Sequence, residues 1–135
     1  MDEFYKNIKY YTTMTTQETY LNKLTEIKNN LMFAKFDLEH VKTATKTYKS
    51  IAVEEIFKKV DEIYETLDNV KEVNMHFFET LIIELYNLLQ LTNAKIVTKT
   101  KEAYFPLMHM ICANISKVCK LRRIMYVELE EQKYM

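Results

Sequence analysis

With no glycine and one proline in 135 residues, the chain lacks the residues that hairpins, phosphate loops and close backbone approaches lean on. Nineteen basic and nineteen acidic side chains give a formal charge of zero, so no global field draws the protein to nucleic acid or an anionic membrane. A hydrophobic fraction of 48% over one domain's length allows a self-sufficient core, and together these features predict an all-α protein.

Residues 1–14 read as a short aromatic arm carrying Phe4, Tyr5, Ile8, Tyr10 and Tyr11, ahead of a single helical-bundle domain over residues 15–135. The arm opens with two acids and has no continuous apolar run, which fits neither a secretory signal nor a membrane anchor. Thr15 and Glu18 have capping-box spacing, so the first long helix is placed from Thr15. Its stripe of Tyr20, Leu24, Ile27, Leu31, Ala34, Leu38, Val41, Thr45 and Tyr48 alternates steps of four and three. That is the repeat of a helix lying along others at a shallow angle, with coiled-coil-like packing.

A hairpin is placed at Lys49 to Ile51, where the phase slips and Ser50 can cap a new helix. The second stripe is Ile56, Val60, Ile63, Leu67, Val70, Asn74, Phe77 and Leu81, and its unbroken phase predicts one helix from about 51 to 91. Asp68, Asn69 and Asn74 offer the alternative of a break, which would make four helices of three. Asn74 on the stripe is either a register-setting buried polar residue or a cap. Thr92 to Thr100 is poor in helix formers, so the next turn is placed there. The last helix is placed from Lys101 to about Glu131, with Pro106 near its start. Leu107, Ile111, Val118, Leu121 and Met125 form one apolar stripe on it, and Met108, Cys112, Ile115 and Cys119 a second. The fold expected is an antiparallel bundle of three long helices, or four if the second divides near Asp68 to Asn74.

Met75 to Leu91 holds eleven large apolar residues in seventeen, distributed most of the way round the cylinder. Set against a largely polar 10–25 segment, this predicts more apolar surface than the chain's own helices cover. Phe78, Ile82, Ile83 and Leu89 are therefore candidate interface residues, with Met32, Phe33 and Phe36 as a smaller off-stripe patch on the first helix. The segment also holds Glu79 and Glu84 and falls short of the ~20 residues a membrane span needs, so no span is expected.

No chemistry of an enzyme is legible. A di-iron bundle needs inward carboxylates and a Glu-x-x-His on each of two helices, and the nearest approach is Asp37-x-x-His40. Glu72 and His76 have metal-compatible spacing but no third ligand beside them. Neither a zinc-protease motif, nor a Cys-x-x-Cys pair, nor a P-loop, nor a nucleophile elbow occurs, so no catalytic residue, metal or cofactor is assigned. Cys112 and Cys119 lie about 10 Å apart along one helix, too far for a disulfide within it, which suggests reduced thiols and a cytoplasmic location.

Charge is uneven along the chain. Residues 50–90 hold nine acidic and three basic side chains, whereas 95–123 hold seven basic and one acidic. Pairing of the acids between Glu54 and Glu72 with the last helix accounts for both runs; alternatively Lys117, Lys120, Arg122 and Arg123 contact phosphates of a nucleic acid. Abundant Lys, Asn, Ile, Tyr and Thr suit an AT-rich genome, including that of a phage or large DNA virus. The expectation is a non-enzymatic assembly or adaptor protein that forms a homo-oligomer or binds a protein partner. The alternatives are a small nucleic-acid-binding or accessory protein, and a viral antagonist of a host protein.

Overall fold

The computed structural model describes residues 16–44, 50–95 and 101–134, apart from the side chains of 37, 38, 40–44, 50–53, 95 and 101–103. Four α-helices make up almost all of it: α1 Gln17–Ala44, α2 Ser50–Asn69, α3 Met75–Lys95 and α4 Lys101–Lys133. The aromatic arm, the cap expected at Thr15, residue 49 of the expected hairpin and residues 96–100 of the next expected turn lie outside the described residues, whereas Ser50 and Ile51 of that hairpin already belong to α2.

Each helix packs on its neighbours in sequence, and α1 closes the ring against α4. Directions follow from the pairs that meet. Lys28 with Asp68 and Lys35 with Asp61 set α1 antiparallel to α2. Tyr20 with Glu128 and Asn30 with Asn114 set α1 antiparallel to α4. A short link reverses α2 into α3, where Lys59 meets Glu84 and Thr66 lies beside Phe77. The result is an up-down-up-down four-helix bundle, the arrangement in which short connections join antiparallel neighbours.

The core is apolar along the expected stripes of α1 and α2: Tyr20, Leu24, Ile27, Leu31 and Ala34 on one, Ile56, Val60, Ile63 and Leu67 on the other. Thr16 caps α1, its Oγ1 accepting from the Thr19 N–H at 3.3 Å. The single helix expected over 51–91 is divided. Residues 70–74 are not helical, and Asn74 caps α3 by accepting the Phe77 N–H on its Oδ1 at 2.8 Å. Unbroken phase misled because Val73, not Val70 or Asn74, turns inward in the link and is fully buried, while Asn74 is exposed. Gln17 clamps this link from α1, donating from Nε2 to the Val73 carbonyl at 2.8 Å and accepting the Val73 N–H on Oε1 at 2.6 Å.

The α3 core stripe is accordingly Phe78, Leu81, Leu85, Leu88 and Thr92. Thr92 does not open a turn, because its hydroxyl donates back to the Leu88 carbonyl at 2.8 Å and the helix runs on to Lys95. In α4 the stripe is Tyr104, Leu107, Ile111, Asn114, Ile115, Val118, Leu121, Met125 and Glu128. The helix continues through Pro106, whose missing N–H forfeits one hydrogen bond near the N-terminal end.

Candidate functional site

Among the described residues the interior is apolar apart from three buried polar side chains, Thr92, Asn114 and Glu128. Its polar groups are satisfied among themselves: no buried side-chain nitrogen or oxygen among the described residues lacks a hydrogen-bond partner. Tyr20 donates its hydroxyl to Glu128 Oε2 at 2.9 Å, and both side chains are buried. Burial, then the hydrogen bond to the Glu128 carboxylate and its negative charge, hold the Tyr20 hydroxyl well above the usual tyrosine range. Burial alone raises Tyr104. Asn114, fully buried, accepts from Asn30 Nδ2 at 3.0 Å and turns its own amide toward Met110 Sδ at 2.9 Å.

Asn114 and Glu128 were missed in the sequence, although the signal was there. The apolar steps of α4 jump from Ile111 to Val118 over Asn114, and the next step past Met125 falls on Glu128. Asn74, singled out instead, is a cap at the surface.

Among the described residues no group of three or more His, Cys, Asp and Glu side chains is placed to hold a metal ion, and Glu72 and His76 are both exposed. Asp37 and His40 lie outside the described side chains. No described helix is long and apolar enough to cross a membrane.

What the molecule presents chemically is its outer surface. Phe78, expected on an uncovered face, is instead wholly buried and meets Tyr20 edge-on at 5.6 Å. Ile82 and Leu89 are half-buried against the core, and of the four candidates on α3 Ile83 alone is exposed. Dividing the second helix is the reason: α2 supplies the wall that a three-helix arrangement would have left open. The patch on α1 is different. Phe33 is 67% exposed and Phe36 63%, with Met32 beside them on the face opposite the Ile27, Leu31 and Ala34 stripe.

The charged residues also pair otherwise than expected. Asp61 and Asp68 of α2 are taken by Lys35 and Lys28 of α1, and Lys59 by Glu84 of α3. On α4, Arg122 reaches Glu79 of α3 at 3.6 Å. Lys117, Lys120 and Arg123 are exposed and pair with no carboxylate among the described residues. Between α1 and α2 lies an open groove of about 610 Å³ whose rim includes Lys35, Glu39, Glu54, Asp61 and Glu65. No family model matches the chain, and neither does any curated protein or any solved structure at a significant level.

Proposed function

We propose that this protein is a non-enzymatic assembly or adaptor module that associates, with itself or with a protein partner, through apolar outer faces of its helices. The observation that carries the reading is Phe33 and Phe36, two phenylalanines about two-thirds exposed on the same turn of α1, in a bundle whose core is filled without them. Leaving two such rings in water forgoes roughly 1.5–3 kcal/mol each of burial, which an interface recovers. Light scattering on a sizing column tests it. Wild-type protein should give a mass above 16.3 kDa, and Phe33→Ser with Phe36→Ser should lower it. A single 16.3 kDa species in both would contradict self-association.

A second reading, nucleic-acid binding by α4, is favoured by one observation. Its Lys117, Lys120 and Arg123 are not neutralised by Asp61 and Asp68 of α2, which pair with lysines of α1. Affinity for a mixed-sequence duplex that falls steeply with salt would support it, and salt-independent or absent binding would remove it.

A further inference from the structure

From the buried Asn114 a row of i, i+3 neighbours climbs the outside of α4: Lys117, Lys120, Arg123 and Tyr126, all exposed. It starts against α1, where Asn114 meets Asn30, and ends beside α3, where Tyr126 shares a groove with Met75. Each three-residue step carries the row about 60° round the helix and about 4.5 Å along it, so three cations in succession lead up to one exposed ring. We propose that this row is a binding track for single-stranded nucleic acid, in which Lys117, Lys120 and Arg123 hold backbone phosphates and Tyr126 stacks on a base. The inference rests on the nucleic-acid reading of α4 above and names the form of nucleic acid that the helix takes.

The cations of the row have no internal partner. Lys117, Lys120 and Arg123 pair with no carboxylate among the described residues, and the sequence holds no acid between Glu102 and Glu128. Glu128 itself is buried and accepts from Tyr20, so this stretch of the surface is positive although the whole chain is neutral. Arg122, beside the row, meets Glu79 at 3.6 Å, beyond hydrogen-bond reach, which leaves its donors available to a phosphate.

Tyr126 selects the single strand. It is 55% exposed, and its groove of about 270 Å³ is also lined by Met75, Cys119, Arg122 and Arg123. That volume is below the roughly 300–1,000 Å³ that encloses a whole small ligand, so the groove suits one unit of a polymer whose remainder lies along the row. An aromatic ring beside two guanidinium groups is a surface on which a base can stack, and a base reaches it only where it is not already stacked in a duplex. An acidic peptide would satisfy the cations and leave the ring unused. The track uses no residue of the Phe33 and Phe36 patch on α1, so it does not compete with the assembly reading for side chains.

Fluorescence anisotropy of labelled oligo-dT, oligo-U and a mixed-sequence duplex, each titrated with the full chain, tests the track. The better-bound single strand should bind roughly tenfold or more tighter than the duplex, and which of the two it is tells DNA from RNA. Lys117, Lys120, Arg122 and Arg123 on the strand predict a log–log salt slope of about −3, from roughly −0.7 for each phosphate neutralised. Lys120→Gln should make that slope shallower by about 0.7, whereas Tyr126→Leu should weaken single-strand binding roughly five- to hundredfold and leave the slope unchanged. Both positions are exposed, so helix content should stay at the wild-type value by circular dichroism. Duplex bound as tightly as single strand, with Tyr126→Leu silent, would overturn the proposal while sparing nucleic-acid binding by α4. Polyglutamate that competes as well as unlabelled oligo-dT would overturn it in favour of an acidic protein partner, and no binding of any oligonucleotide at low salt would end both nucleic-acid readings.

Discussion

The two long seams of the bundle are built from different materials. Where α1 meets α2, lysines at 28 and 35 face aspartates at 68 and 61, one heptad apart on each helix, so the flank of that seam is sealed by charge. Where α3 meets α4, one pair among the described residues, Glu79 with Arg122, joins the helices, and the exposed positions of the two include Ile83, Tyr86, Cys112, Cys119, Arg123 and Tyr126. Lysine and carboxylate rows discourage contact with another apolar surface, because covering them means stripping water from charges. The α3–α4 side carries fewer paired charges, though Lys117, Lys120 and Arg123 are exposed on α4. One flank is therefore lined by paired charges and the other by a mixture of apolar, thiol and basic side chains, although both sit on the same continuous core.

That contrast can be broken from the inside outward. Phe78→Ala removes the largest fully buried side chain, at the point where α3 meets Tyr20. It should cost about 3–5 kcal/mol, read as a lower urea midpoint, and a loss below ~1 kcal/mol would mean that α3 is not seated as described.

Tyr20→Phe should cost about 1–3 kcal/mol, because the buried Glu128 carboxylate loses its donor. The pH dependence has a definite sign. Tyr20 and Tyr104 hold their protons more tightly folded than unfolded, so their contribution is complete below about pH 10, the ordinary tyrosine value, and is lost as pH rises beyond it. Urea midpoints should fall above that pH, and less steeply in the Tyr20→Phe protein. An equal slope would place the linkage elsewhere.

The smallest effect belongs to the charged seam. Asp61→Asn should cost below about 1 kcal/mol, and the difference from wild type should shrink in high salt. A larger, salt-independent loss would mean that the pair is structural and that the contrast between the seams is overstated.

Much of this architecture was legible in the sequence, and the exceptions have physical causes. The stripes from Tyr20 to Ala34 and from Ile56 to Leu67 were read directly, because a three-four repeat leaves one face for burial. The break at 70–74 was legible only as the alternative, since Val70 and Asn74 keep the spacing of the stripe through residues that are no longer helical. Once Asn74 is a cap, the next helix takes its own phase, and Phe78 turns from a surface candidate into the centre of the core. Asn114 and Glu128 escaped notice because polar residues on a stripe look like interruptions until their partners Asn30 and Tyr20 are seen across the α1–α4 contact. For the surface, sequence spacing found Phe33, Phe36 and Ile83. It could not rank them against Ile82 or Leu89, because the width of an apolar face does not say how much of it a neighbouring helix covers.

The proposal beneath all of this is that a bundle able to close its own core associates with copies of itself through apolar side chains left outside that core, Phe33 and Phe36 first among them. Sedimentation equilibrium of the wild-type chain across a wide concentration range addresses it most directly. The account predicts an average mass that climbs from 16.3 kDa toward twice that value as concentration rises. A mass that stays at 16.3 kDa up to the highest concentration reached would contradict it.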